Sequence, residues 1–162
     1  MAKRMTVVWM VIWMGGSVAG AVTNLSQCIG IELTPAVLSE FPERDNSTPE
    51  TCMLGFVKGV VTGDLPLFLA PLSDELRAEE AGVSALSMLT PAMTNDFRNF
   101  VLGEAFSNHV VRSCAETVSG GEATIRFSME SQSGVLVKTG GMRATLSETG
   151  GEWRITEWDV DE

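Results

Sequence analysis

The sequence predicts an α+β domain, with helices first and an antiparallel sheet of about four strands after them. Three observations carry this. From Thr48 to Val101 apolar residues recur at helical spacing. Beyond Gly103 the period falls to about two: Ile125, Phe127 and Met129 alternate with Thr124, Arg126 and Ser128, and Met142, Ala144 and Leu146 with Arg143, Thr145 and Ser147. The glycine pairs Gly120-Gly121, Gly140-Gly141 and Gly150-Gly151, with Gly134 in a fourth break, punctuate these runs and suit hairpin turns that need positive φ.

The chain of 162 residues is long enough for one domain with a real core. Residues 1–21 read as a signal peptide. Lys3 and Arg4 are a basic start, Met5 to Met14 an apolar run, and Ala19-Gly20-Ala21 a small-residue cleavage site. The run is short for spanning a bilayer, so an uncleaved membrane anchor is the alternative. Residues 22–47 read as a lead-in segment with a short helix around Pro35 to Phe41, and 48–162 as the domain.

Thr48 suits the N-cap of the first long helix, with Pro49 at its first position and Glu50 at the positive end of the dipole. Cys52, Phe56 and Val60 form one apolar row, and Met53, Val57 and Val61 lie beside it. Gly63-Asp64 ends this helix. Pro66 and Pro71 then forbid one continuous helix. An apolar turn over Leu65 to Leu69 is expected, then a helix capped by Ser73, then a third helix from Pro91 capped by Thr90. A less regular first strand covers residues 105–118. The closing strand turns Trp153 and Ile155 away from Arg154 and Thr156.

Cleavage after Ala21 leaves nine basic and 21 acidic residues, a net charge of −12. Such a chain repels phosphate backbones, so no nucleic-acid partner is expected. Cys28, Cys52 and Cys114 show no metal-ligand spacing, and His109 is the one histidine, so neither a metal nor a cofactor is expected. Leu25-Ser26-Gln27-Cys28 loosely resembles a lipid-attachment motif, with Gln27 where a small residue belongs.

The capped helix running into Gly63-Asp64, the proline-broken turn and the meander closing on Leu146…Trp153-Arg154-Ile155-Thr156-Glu157-Trp158-Asp159 together resemble the NTF2-like (SnoaL-like) superfamily over about residues 48–160. The resemblance implies a strongly curved sheet wrapped around the first helix, a conical cavity and a homodimer. It places the last strand at the sheet's centre or inner edge. Phe56, Phe97, His109, Arg126 and Trp158 are the candidates to line the cone, with Trp158 on the parity opposite Trp153 and Ile155, at the cavity rim or in a dimer face. In that fold Cys52 and Cys114 lie on elements that pack together. They either form a disulfide or remain buried thiols, and Cys28 with Cys52 is the alternative pair.

The superfamily includes isomerases and dehydratases, ligand binders and dimerisation modules, so fold alone does not settle function. The chain has no tyrosine, which removes the oxyanion donor of the steroid-isomerase members. One histidine cannot readily build a histidine–aspartate pair. Glu130, Glu148, Glu157 and Asp159 lie near strand ends, where solubility explains them, and Asp64 and Asp96 suit a turn and a solvated helix face. No catalytic residue is assigned. Arg112, Arg126 and Arg143 fall in strands, where they either pair with acids across the sheet or hold a carboxylate. The expectation is an exported, non-catalytic domain that binds a small apolar ligand or self-associates. A small isomerase or dehydratase acting in the cone is the alternative.

Overall fold

The computed structural model describes residues 22–79, 107–133 and 135–161. Its elements are a 3-10 turn at Leu25–Cys28, α1 at Pro35–Ser39, α2 at Pro49–Thr62 and α3 at Leu65–Leu69, then β1 at Ser107–Ser119, β2 at Glu122–Ser133, β3 at Leu136–Thr149 and β4 at Glu152–Asp161. Residues 74–79 are also helical, with Leu76 N–H donating to Ser73 Oγ. The expected signal peptide and third helix, with Phe97, lie outside the described residues.

The helix boundaries follow from local chemistry. Thr48 accepts from the Thr51 N–H while Thr51 Oγ1 accepts from the Thr48 N–H, which satisfies two donors at the start of α2. Gly63 ends α2 at φ 67°, a left-handed value that glycine adopts without a Cβ penalty. Asp64 is not only the stop: its Oδ1 accepts from Leu67 N–H at 3.0 Å and caps α3. The helix α2 is buried on nearly every side, by Cys52, Met53, Leu54, Phe56, Val57 and Val60, so it is the core helix of the domain.

The sheet is an antiparallel meander in the order β1-β2-β3-β4. Two-residue loops at Gly120-Gly121 and Gly150-Gly151 join its outer hairpins. Gly140-Gly141 makes no turn. It lies inside β3, opposite Met129 and Ser128, and neither residue has positive φ. The middle hairpin instead turns between Ser133 and Leu136.

Two further expectations are corrected. The sheet is not strongly curled. Its central pair, β2 with β3, runs in unbroken register from Glu122↔Ser147 to Ser133↔Leu136, so no bulge bends the middle. And of the two places expected for β4, the centre and an inner edge, the centre is excluded, because β4 lies at an edge. Trp153 and Ile155 are nevertheless buried, because the segment after α3 covers that edge. Ile155 N–H donates to Pro71 O at 2.9 Å and Ser73 N–H to Ile155 O at 2.8 Å, while Trp153 N–H donates to Asn46 O at 2.8 Å.

The opposite edge is covered in the same way. Gly30 N–H donates to Val111 O at 2.8 Å and Leu33 N–H to His109 O at 2.7 Å. Residues 22–47, the expected lead-in segment, thus pack against β1. Val22, Leu25, Cys28, Leu33, Leu38 and Phe41 all belong to the core.

Candidate functional site

Two bulges decide which side chains face the helices. In β1 the register shifts between Val111 and Ser113, so Arg112 is an extra residue. Val111 faces inward, and after the bulge Cys114, Glu116 and Val118 share that face, opposite Phe127, Ile125 and Ala123. In β4 the shift falls between Glu157 and Ile155, which makes Thr156 the extra residue. Trp158 therefore returns to the face of Trp153 and Ile155 instead of opposing it. Its ring lies 5.8 Å from Phe56 and 6.0 Å from Phe68, and Phe56 and Phe68 lie 5.2 Å apart. These three rings fill the space between α2, α3 and β4. Phe56 and Trp158 thus pack against each other, and neither lines any of the three openings described below.

The face that carries Cys114 and Glu116 opens into a cleft. Glu116 from β1 meets Glu50 from the first turn of α2, and Asn24, Leu25, Ser26, Met53, Cys114 and Ile125 complete an opening of about 210 Å³. Burial, and then the charge and hydrogen bond of Glu50, push the Glu116 carboxyl above its ordinary 4.5. Burial, followed by Glu116, raises the Cys114 thiol. This convergent acid pair was missed in the sequence, where only Glu130, Glu148, Glu157 and Asp159 are weighed among the acids of the sheet.

His109 does not join this cleft. It is half-buried on β1, its Nδ1 lies 2.5 Å from Ser131 Oγ, and burial lowers its pKa. The three cysteines are free thiols. Cys52 and Cys114 are not bridged, because Cys52 Sγ points to the carbonyls of Pro71 and Trp153, at 3.7 and 3.5 Å, while Cys114 lines the acid cleft. Burial pushes the Cys52 thiol up to about 12.

The outer face of the sheet carries short side chains and one charged row. Ser113 stands opposite Ser128 and Gly141, and next to them Ala115, Arg126, Arg143 and Asp159 follow in register. Arg143 pairs with Asp159 at 2.9 Å and Arg112 with Glu130 at 2.9 Å. Arg126 is exposed and has no ion-pair partner among the described residues. It borders a shallow groove of about 260 Å³ with Ser113, Ala115, Ser128 and Gly141.

A third opening, of about 380 Å³, lies beside β4 between Arg44, Asn46, Pro66, Leu69, Ala70, Arg77, Glu152 and Arg154. No helix among the described residues is long and apolar enough to cross a membrane, and no group of three metal-ligating side chains gathers among them.

No known protein family matches the chain, and no curated protein does. Among solved structures it is similar to a SEC-C motif-containing protein from Rhodopseudomonas palustris, with 16% identity and a TM-score of 0.48 over 85% of this chain and 92% of that one. It is also similar to the intermembrane space region of the chloroplast protein ARC6, with 18% identity and a TM-score of 0.32 over 74% and 98% of the two chains. Both likenesses are too loose to carry an argument about function.

Proposed function

We propose that the chain is an exported, non-catalytic domain of NTF2-like type that self-associates through the outer face of its sheet. The basic, then apolar, then small-residue start supports export. The order of a capped buried helix followed by a four-strand meander supports the NTF2-like reading. Packing of Phe56, Phe68 and Trp158 against one another turns attention from an apolar ligand in a cone to the outer surface.

The observation that carries self-association is Arg126. It stands exposed in the row of Ala115, Arg126, Arg143 and Asp159, two strands from Asp159. A second copy laid on this face about a two-fold axis brings each Arg126 against Asp159 of the other copy, and the short side chains of Ser113, Ala115, Ser128 and Gly141 let the sheets approach. Sedimentation at micromolar concentration tests it. The wild type runs as a dimer, Arg126→Glu and Asp159→Arg each give monomer, and the double exchange restores the dimer. A monomeric wild type overturns the proposal.

A second reading is favoured by the Glu50–Glu116 cleft. A carboxyl whose pKa is raised by burial and by a second carboxyl suits a general acid, so this reading is an isomerase or dehydratase acting on a small substrate there. Turnover of an enolisable or β-hydroxy carbonyl compound that is lost in Glu116→Gln, with the fold intact, is its test. Equal turnover in wild type and variant removes it.

A further inference from the structure

The opening beside β4 concentrates positive charge in a chain where acids outnumber bases 21 to 11. Arg44, Arg77 and Arg154 all line it, and Glu152 is the one acid in its wall. Backbone carbonyls hold two of the guanidinium groups in place. Arg77 donates from Nε to Leu69 O at 3.1 Å, and from Nη2 to Ala70 O at 3.1 Å and Leu72 O at 3.0 Å. Arg154 donates from Nη1 to Ala70 O at 2.7 Å and from Nη2 to Glu152 Oε2 at 2.6 Å. Asp74 reaches Arg77 from solvent at 3.7 Å, with its side chain 99% exposed, so water screens its contribution. Carbonyl dipoles fix these groups, and three arginines against Glu152 and the solvated Asp74 leave the groove net positive, which is the preorganisation that an anion site needs.

Two independent features mark the same wall. The Oδ1 of Asn46 is buried and has no hydrogen-bond partner among the described residues. An acceptor in that state costs free energy unless a donor reaches it. Arg44 holds φ 56°, a left-handed backbone that is strained for a residue with a Cβ. Strain of this kind persists where the surrounding structure fixes the backbone. Cations for a carboxylate and a buried acceptor for an N–H or O–H together define a ligand class. The volume, near the lower end for small-molecule sites, limits its size.

We propose that this groove binds a small carboxylate bearing a hydroxyl or amino donor on its α-carbon, with the arginines taking the carboxylate and Asn46 taking the donor. It is separate from the outer-face contact of the preceding section and does not depend on it. The test is an NMR titration of the protein with lactate and, in parallel, with propionate, which has the carboxylate but no donor. Lactate is expected to give saturable shifts around Asn46, Ala70 and Arg154, and to bind about tenfold more tightly than propionate.

Arg44 is exposed and makes no ion pair among the described residues, so Arg44→Ala should keep the fold and weaken lactate about tenfold. Arg154→Lys keeps the charge but loses the planar fork, and should weaken lactate too. Absent saturation, or affinity unchanged in both variants, overturns the site. Equal affinities for lactate and propionate overturn the role of Asn46 and with it the ligand class.

Discussion

Gly55 and Gly59 lie one turn apart on α2, and replacing each by alanine should move stability in opposite directions. Helix propensity treats them alike, since alanine in place of an interior glycine gains about 1 kcal/mol. Their surroundings differ. A Cβ on residue 55 would lie 3.6 Å from Pro42 O and 3.9 Å from Arg44 N, both ordinary contacts. A Cβ on residue 59 would lie 2.4 Å from Phe68 N, 2.6 Å from Phe68 Cα and 2.9 Å from Leu67 C. These are backbone atoms of α3, so no side-chain rotation relieves them. Reaching ordinary contact requires α3 to retreat by about 1 Å. A gap of that size costs the lining atoms up to half of their dispersion well, and the Phe56–Phe68–Trp158 cluster stands directly beside it.

Overpacking costs about 1–3 kcal/mol, and a backbone clash belongs at the upper end. After the propensity gain, Gly59→Ala should be destabilised by about 2 kcal/mol, whereas Gly55→Ala should be neutral or more stable by up to about 1 kcal/mol. Urea unfolding reads this directly. At about 2 kcal/mol per molar, the Gly59→Ala midpoint falls by about 1 M with the slope unchanged. A Gly59→Ala protein as stable as its parent would refute the close approach of α2 and α3.

Further outcomes follow from the same geometry. Trp158→Ala should cost about 2–3 kcal/mol by denaturation, because the bulge at Thr156 turns the indole inward; a neutral substitution would mean that β4 alternates without interruption. A thiol reagent should modify Cys114 first and leave Cys28 and Cys52 until the protein unfolds, and early labelling of Cys52 would contradict its burial. The raised Glu116 means that the native state binds more protons than the unfolded chain just above pH 4.5, so stability declines as pH rises through that window. Glu116→Gln should therefore be more stable than the parent near neutral pH and indistinguishable from it below 4.5; a variant that is weaker at neutral pH would sink this account.

The chain announces its local signals and conceals its irregular ones. Thr48-Pro49, Gly63-Asp64 and Ser73 mark helix ends through short-range hydrogen bonds that any reader of the sequence can place. Gly120-Gly121 and Gly150-Gly151 mark turns. Gly140-Gly141 looks the same in sequence and is strand, because only the pairing of β2 with β3 decides whether those residues take positive φ.

The acid cleft was invisible for a similar reason. Glu50 and Glu116 are distant in the chain, and only the fold brings them to one cleft. Trp158 was put on the wrong face because period-two reasoning assumes no inserted residue, and Thr156 is one. The packing of Val22 to Phe41 was hidden because its partners on β1 and α2 are distant in the chain, and no local periodicity records such contacts.

The two sheet margins are each sealed by chain made long before the strands they seal. Ile29 meets Val111 and Leu72 meets Ile155, both across about eighty residues. Such closures pay a large loop entropy and form late. Until they form, the rows of amides on β1 and β4 stay open to any other extended chain, including a sibling molecule. A version shortened to begin after Leu33 would keep its helices and hairpins but lose the cover on β1. Its characteristic failure would be strand-to-strand polymerisation.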